Sequence, residues 1–108
     1  MGVRSGQQFI DGLKANPREV WINGEKVEDV TTHPAFSLIV RQLARLYEAQ
    51  VDPATRDTLT YEVPETGQRA GMAFMPAKTS EDLRRRRDAY YLWASMNFGL
   101  MGRSPDFL

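Results

Sequence analysis

The chain has 108 residues, which fits one small domain that buries a limited fraction of its surface. Its 14 basic and 14 acidic residues balance, so the long-range field that attracts nucleic acid or an anionic membrane is missing, and we expect neither partner. The absence of cysteine excludes disulfides and thiolate-ligated clusters, and it is compatible with a reducing compartment. No apolar run approaches the roughly 18 residues of a bilayer span. We therefore expect a cytoplasmic protein.

The first predicted elements are a helix and a hairpin. Ser5 can cap a helix that runs through Ala15, before Asn16-Pro17 ends it. Its apolar face, which needs a partner, consists of Phe9, Ile10 and Leu13. Residues 19–22 and 25–28 then flank Asn23-Gly24, the dipeptide that best tolerates the two positive φ angles of a type I′ turn.

A second helix and a second hairpin follow. Apolar residues at three- and four-residue spacing predict an amphipathic helix that stops at Asp52-Pro53, with a face formed by Phe36, Ile39, Val40, Leu43, Leu46 and Tyr47. Residues 59–63 and 69–75 are predicted strands, because the segment 64–67 between them carries proline and glycine at positions suited to a turn.

The last predicted element is a long helix that leads toward the end of the chain. Thr79, with Asp82 three residues later, resembles a capping box. An apolar stripe is expected on this helix, formed by Leu83, Tyr90, Ala94, Phe98 and Met101. The prediction is therefore an α+β, mostly helical domain of three helices and two hairpins, without an internal repeat or a linker.

Three segments of the chain carry a family resemblance. They are residues 21–27 (WINGEKV), 30–36 (VTTHPAF) and 98–106 (FGLMGRSPD). In this order they resemble the N-terminal region of flavin-dependent aromatic hydroxylases of the 4-hydroxyphenylacetate 3-monooxygenase type, whose members are several times longer. The resemblance implies that residues 1–108 are the N-terminal domain of an acyl-CoA-dehydrogenase-like flavoprotein. Its middle β-barrel and C-terminal helical domains would lie outside this chain.

The same resemblance implies a function. A member of this family is the oxygenase of a two-component system for aromatic catabolism, in which a separate flavin reductase supplies reduced FAD. With O2 it hydroxylates a phenolic substrate ortho to the hydroxyl group, and the full-length protein is expected to be a homo-oligomer, a tetramer. Because the flavin contacts are expected beyond residue 108, the isolated chain is predicted to be inactive and to bind flavin weakly.

The candidate site lies in the last residues. By resemblance, Arg103 is the catalytic residue that holds the phenol oxygen, and it binds the substrate together with Ser104, Pro105, Asp106 and Phe107. An always-charged guanidinium suits an ionised phenol, although an arginine at a helix end also serves simply to balance the helix dipole. Simple-phenol hydroxylases of this type usually carry tyrosine where this chain has Phe107. The missing hydroxyl would forfeit roughly 1.5–3 kcal/mol and leaves the aromatic substrate open.

Other residues that invite a chemical role are predicted to be structural. His33 lies at the start of a predicted helix, and no Asp, Glu or Cys near it in the sequence has the spacing of metal ligands. We therefore expect no metal site at His33. Residues 84–87, four consecutive arginines, spread around a helix and are expected to form a salt-bridged surface. The aromatic residues predicted to pack in a core or a subunit interface are Trp21, Tyr90, Tyr91 and Trp93. The glycines near residue 100 lack the order of a dinucleotide-binding motif.

Two alternatives stay open. A 4-hydroxybutyryl-CoA dehydratase, which shares the ancestry, would bind an iron-sulfur cluster through cysteines that this chain lacks. A noncatalytic interaction module would use the helix faces within residues 36–47 and 83–101. For the isolated chain itself, exposed apolar helix faces predict aggregation or self-association.

Overall fold

The computed structural model describes residues 2–100. This part of the chain contains four helices and two antiparallel two-stranded sheets. In chain order the elements are α1 (Gly6–Ala15), β1 (Trp21–Ile22), β2 (Glu25–Lys26), α2 (Ser37–Ala49), α3 (Arg56–Leu59), β3 (Thr60–Glu62), β4 (Arg69–Gly71) and α4 (Ser80–Met96). The predicted α+β, mostly helical class is confirmed, and the four-residue α3 is added to the three helices and two hairpins of the prediction.

Helix α1 and the first hairpin form as local sequence dictates. The backbone N–H of Gln8 donates to Ser5 Oγ at 3.1 Å, and the backbone N–H of Ser5 donates to Gln8 Oε1 at 2.8 Å. This capping box pairs two amide groups that the helix cannot pair itself. Asn23 and Gly24 have φ angles of 51° and 78°, so the predicted type I′ turn is confirmed. The strands beside it are two residues each, shorter than predicted.

The apolar face of α1 packs on α2. The ring of Phe9 stacks on the ring of Tyr47, with 4.6 Å between the ring centroids. Farther toward the start of α1, the backbone N–H of Gly6 donates to Glu48 Oε2 at 2.9 Å. A Cβ atom at Gly6 would overlap the Ala44 backbone oxygen and lie only 3.1 Å from its carbonyl carbon. The absence of a side chain at Gly6 therefore allows the two helices to approach this closely.

The second hairpin differs from its prediction at both outer ends. Leu59 ends α3 and does not begin a strand, and β4 stops at Gly71, where a 3-10 turn (Met72–Phe74) replaces the rest of the predicted strand. The reason is burial. Met72 and Met75 are 1% and 7% exposed and enter the same core, which a helical turn permits at this spacing. An extended strand would direct side chains three residues apart to opposite faces.

The core forms around Trp93, which is completely buried on α4. Side chains from α2, α3, the 3-10 turn and α4 surround it, namely Leu46, Ala49, Leu59, Met72, Met75 and Ala89. The predicted apolar stripe of α4 is buried only in part, because Tyr90 packs against the core whereas Leu83 and Phe98 are 60% and 98% exposed. Met101, the last member of that stripe, lies outside the described residues.

Helix α4 begins at the predicted capping box. The backbone N–H of Asp82 donates to Thr79 Oγ1 at 3.1 Å, and the Asp82 carboxylate accepts from the backbone N–H of Thr79 at 3.2 Å. The same carboxylate accepts from the backbone N–H of Lys78 at 2.9 Å, which lowers the pKa of Asp82 below its ordinary value of 3.8. Within residues 2–100, no helix combines the length and the apolar character that crossing a bilayer requires.

Candidate functional site

The predicted site residues Arg103, Ser104, Pro105, Asp106 and Phe107 lie outside the described residues, so their roles stay predictions. The structure does describe the element that leads to them. This element is the C-terminal end of α4 together with the turn that follows it, residues 97–100.

The end of α4 is closed by a turn with two positive φ angles. Phe98 has φ of 59° and Gly99 has φ of 81°. The backbone N–H of Gly99 donates to the Ala94 carbonyl at 2.8 Å, which is the six-to-one bond of a Schellman motif. Phenylalanine in the left-handed region costs about 1–2 kcal/mol, since its Cβ crowds the next carbonyl. Backbone strain of this kind is concentrated near functional sites, and here it lies a few residues before the predicted site residues 103–107.

Helix α2 holds the same end of α4 from the side. Gln42 Nε2 donates to the Met96 carbonyl at 3.1 Å, and Arg45 Nη1 donates to the same oxygen at 3.3 Å. A cation at the last carbonyls of a helix also interacts favourably with the helix dipole. Gln42 and Arg45 therefore fix the point from which the chain enters residues 101–108. Neither residue was predicted to have this role. Gln42 and Arg45 lie three positions apart on α2 and therefore on the same face of that helix, and this spacing is the sequence feature that connects them.

The surface beside this turn is apolar. Phe98 and Leu100 are 98% and 91% exposed, although both follow a helix whose other side is buried. An open groove of about 650 Å³ runs along α4, and two further cavities measure about 260 Å³ each. The smaller cavities fall below the roughly 300–1,000 Å³ typical of cofactor sites, and one helix cannot enclose a ligand. The described residues therefore do not by themselves form a flavin pocket.

The remaining sequence candidates have structural contacts. His33 lies at the entrance to α2, where its Nδ1 accepts from the backbone N–H of Ala35 at 3.0 Å. Asp29, in the preceding turn, accepts from Thr31 Oγ1 at 2.7 Å, and this side-chain hydrogen bond lowers the pKa of Asp29 below its ordinary 3.8. Within residues 2–100, no three carboxylates or imidazoles cluster in a way that could hold a metal ion.

The four consecutive arginines point to different partners. Arg84 pairs with Glu81 at 3.1 Å, Arg87 pairs with Asp88 at 3.1 Å, and Arg86 donates to Tyr90 Oη at 3.1 Å. Arg85 approaches the sulfur of Met75 at 3.8 Å. These separate contacts confirm the predicted salt-bridged surface.

Of the four aromatic residues predicted to be structural, Trp93 is the centre of the core. Tyr90 packs against the same core. Trp21 and Tyr91 are 59% and 78% exposed, so no contact within the described residues assigns them to a core.

Comparisons with known proteins agree on one family. The family model described as "4-hydroxyphenylacetate 3-hydroxylase N terminal" matches residues 5–108. The 4-hydroxyphenylacetate 3-monooxygenase oxygenase component of Thermus thermophilus is 56% identical over 106 residues, which are 98% of this chain and 22% of that protein. The chain thus spans about a fifth of the length of the curated relatives it matches.

Solved structures give the same result. The oxygenase component of 4-hydroxyphenylacetate 3-monooxygenase, complexed with FAD and 4-hydroxyphenylacetate, matches with a TM-score of 0.87 and 54% identity, over 97% of this chain and 22% of that one. A 4-hydroxybutyryl-CoA dehydratase from N. maritimus matches with a TM-score of 0.70 over 85% of this chain and 18% of that one. Its 21% identity shows a shared fold alone, and the dehydratase alternative is not favoured. The resemblance found in the sequence is confirmed, and this chain belongs to the 4-hydroxyphenylacetate 3-hydroxylase N-terminal family.

Proposed function

We propose that this chain is the N-terminal part of a reduced-flavin-dependent monooxygenase that hydroxylates a phenolic substrate ortho to its hydroxyl group with O2. The main observation in support of the proposal is that the family match extends over residues 5–108 and includes the predicted site residues 103–107. The 0.87 TM-score to a structure that contains both FAD and 4-hydroxyphenylacetate supports it further.

In this proposal, Arg103 holds the oxygen of an ionised phenol. A guanidinium is permanently charged and donates in a fixed geometry, so it favours the phenolate, whose ring is richer in electrons and is hydroxylated more readily. Such positioning needs a rigid support. The end of α4 provides one, because Gln42 and Arg45 hold the Met96 carbonyl four residues before the described part of the chain ends.

Ser104, Pro105 and Asp106 are proposed to turn the chain so that Arg103 and Phe107 contact one ligand. Because Phe107 lacks a hydroxyl, it contributes apolar contact and leaves the phenol oxygen to Arg103. The preferred substrate is therefore expected to differ from that of a relative with tyrosine at this position.

FAD is the proposed cofactor, and when bound in its reduced form it supplies the activation of O2. The described part of the chain forms no enclosed pocket of its size, so the flavin contacts are proposed to come from a middle β-barrel and a C-terminal helical domain that follow this part in the longer protein. A separate flavin reductase, a homotetrameric assembly and a cytoplasmic location complete the proposal.

The test requires a longer polypeptide, in which this chain is followed by the downstream part of the Thermus thermophilus relative. With a flavin reductase and a phenol, the proposal expects a catechol product detected by chromatography. Arg103→Ala should lower kcat/KM by about 10- to 150-fold, the equivalent of a lost hydrogen bond to a charged group. Arg84→Ala, a surface arginine paired within its own helix, is the matched control and should leave kcat/KM unchanged.

The substrate assignment has its own test. Phe107→Tyr should change the ratio of kcat/KM between two phenols that differ in their second polar group, whereas the ratio in the Arg84→Ala control stays constant. If neither Arg103→Ala nor Phe107→Tyr changes the kinetics, these positions are not part of the site. Absence of any hydroxylated product from a folded, FAD-binding longer polypeptide would refute the monooxygenase proposal itself.

The 108-residue chain provides a complementary measurement. Titration of flavin fluorescence should show no saturable binding of FAD at submicromolar concentration, because the described residues form no closed pocket for it. Tight, saturable binding would mean that the flavin site lies within this chain.

A further inference from the structure

The turn of the first hairpin contains a chemically labile pair of residues. Asparagine is a thermally labile residue type, because the backbone nitrogen of the residue that follows it can attack its side-chain amide carbon and close a cyclic imide. In Asn23-Gly24 the attacking nitrogen belongs to glycine, which has no side chain to hinder the approach. The turn needs this pair, since the two residues have φ angles of 51° and 78°, which asparagine and glycine tolerate best. The residues that form the turn are therefore also the ones that make it reactive.

The structure leaves both reacting groups accessible. Asn23 and Gly24 are exposed. A Cβ atom at Gly24 would have no atom of a non-adjacent residue within 4 Å, so the space beside the attacking nitrogen is open to water. Among the described residues, the backbone N–H of Gly24 donates to no backbone carbonyl. No backbone hydrogen bond therefore has to break at this nitrogen before it reacts.

The hairpin resists the reaction only weakly. Closure of the imide requires the Asn23 backbone to rotate out of its turn conformation, so the tip of the hairpin must open. Strands β1 and β2 hold this tip through two residue pairs, and so short a two-stranded hairpin is marginally stable in water by itself. The buried anchor of the hairpin is Val27, which is 4% exposed and donates its backbone N–H to the Val20 carbonyl at 2.8 Å. The tip beyond this anchor can open without unfolding of the core.

The other two asparagines of the chain lack these features. Asn16 precedes Pro17, which has no backbone N–H and cannot attack the side chain before it. Asn97 is 6% exposed and precedes Phe98, whose side chain hinders the approach of its backbone nitrogen. Asn16 and Asn97 are therefore internal controls for any reaction at Asn23.

We propose that Asn23 is a site of spontaneous covalent modification in the folded chain, with water as the only co-reactant. The Gly24 nitrogen forms a bond to Cγ of Asn23, the bond between Cγ and Nδ2 breaks, and ammonia leaves with the proton of the Gly24 amide. Water then adds to one of the two imide carbonyls and breaks its bond to nitrogen. Opening at Cγ gives aspartate, and opening at the main-chain carbonyl gives isoaspartate.

Both products change the hairpin. Each adds one negative charge to a chain that is formally neutral at pH 7. Isoaspartate also carries the main chain through its side-chain carbon, which adds a methylene to the turn and removes the backbone geometry that a type I′ turn requires. This proposal concerns the hairpin and does not depend on the hydroxylation chemistry.

Mass spectrometry of the 108-residue chain tests the proposal. The chain is incubated in neutral and in mildly alkaline buffer, and circular dichroism monitors its fold. After digestion at acidic pH, where the reaction is slow, conversion at each asparagine is read from peptides whose mass rises by about 1 Da. A synthetic peptide of residues 19–28 gives the rate of the same sequence without the fold. Asn23→Gly is the matched control variant, because it removes the reactive side chain and Gly-Gly is also accepted in a type I′ turn.

In the folded chain, Asn23 should be converted at a rate within about 10-fold of the rate in the peptide, whereas Asn16 and Asn97 should stay unchanged over the same period. The rate should increase with pH, because the attacking nitrogen must lose its proton. The product should include isoaspartate, detected by enzymatic methylation, and the Asn23→Gly chain should gain no mass. If the 108-residue chain aggregates, the same measurements are made in the longer polypeptide with the Thermus thermophilus downstream part.

Two results would overturn the proposal. Conversion of Asn23 more than about 10-fold slower than in the peptide would mean that the folded turn prevents the reaction. Equal conversion at Asn16 or Asn97 would mean that the Asn23-Gly24 pair has no special reactivity. Neither FAD nor a phenol is present, so failure of the proposed catalysis leaves this result unaffected.

Discussion

The contact between α1 and α2 allows a prediction in which the sign of a stability change depends on one neighbouring atom. We consider Gly6→Ala, with Gly12→Ala in the same helix as its control. Alanine is favoured over glycine within a helix by about 0.5–1 kcal/mol, so propensity alone predicts that both variants are more stable. The surroundings differ, because a Cβ at Gly12 has no atom within 4 Å, whereas a Cβ at Gly6 meets the backbone of Ala44.

The structural cost at Gly6 can be estimated from the contacts. The new methyl group would lie 3.1 Å from the carbonyl carbon of Ala44 and closer still to its oxygen, against the roughly 3.5–4.0 Å at which carbon atoms normally meet. Both sides of the contact are backbone, so relief requires α1 to move away from α2. Overpacking of this kind typically costs about 1–3 kcal/mol. The movement would also lengthen the 2.9 Å hydrogen bond from the Gly6 N–H to Glu48, adding part of a 1.5–3 kcal/mol interaction.

The expected result is destabilisation of Gly6→Ala by about 1–3 kcal/mol and stabilisation of Gly12→Ala by about 0.5–1 kcal/mol. Urea unfolding followed by far-ultraviolet circular dichroism measures both free energies of unfolding, and an unchanged slope for each variant shows that the unfolded states are comparable. If Gly6→Ala is as stable as Gly12→Ala, then α1 does not approach α2 as closely as described. Such a result would remove the role assigned to Gly6.

Three further predictions concern the core and the start of α4. Trp93→Ala should destabilise the fold by about 3–5 kcal/mol because Trp93 is completely buried, whereas Trp21→Ala, at a position 59% exposed, should have a much smaller effect in the same urea titration. Thr79→Ala removes the N-cap of α4 and should cost about 0.5–2 kcal/mol, measured by the same method. The hydrogen bond from the Lys78 N–H lowers the pKa of Asp82, so its ionised form stabilises the folded state. That contribution is complete above the ordinary pKa of 3.8 and is lost as the pH falls below it, so unfolding free energies measured from pH 6 to pH 2 should decrease less in Asp82→Asn than in the unsubstituted chain.

The features predicted correctly from the sequence depend on neighbouring residues. The cap at Ser5, the cap at Thr79 and the turn at Asn23-Gly24 each form within four positions of the chain, so the residue types there determine the backbone. The amphipathic helix α2 was also predicted, although one residue of its predicted apolar face, Ile39, is 53% exposed. Local chemistry therefore locates helix starts and turns more reliably than it identifies buried positions.

The features that the sequence could not provide depend on distant contacts. A run of apolar residues does not show that Met72 and Met75 must reach one core, and this requirement ends β4 at Gly71. The two hydrogen bonds at the end of α4 join the side chains of Gln42 and Arg45 to the Met96 carbonyl, and these residues lie more than 50 positions away from Met96 in the sequence. Periodicity along one segment carries no information about such pairs. The site at residues 103–107 stays a prediction because it lies outside the described residues.

Helix α4 shows why periodicity alone does not identify the buried side of a helix. Its predicted stripe combines Tyr90, which packs against the core, with Leu83, which is 60% exposed, whereas the completely buried Trp93 lies outside that stripe. Apolar residues occur on both sides of this helix, so its own sequence supports either side as the core face. The choice depends on the side chains that α2 and α3 bring to Trp93, above all Leu46 and Leu59, and these come from distant parts of the chain. A stripe on one helix therefore predicts that some side is buried, and only the partner elements determine which one.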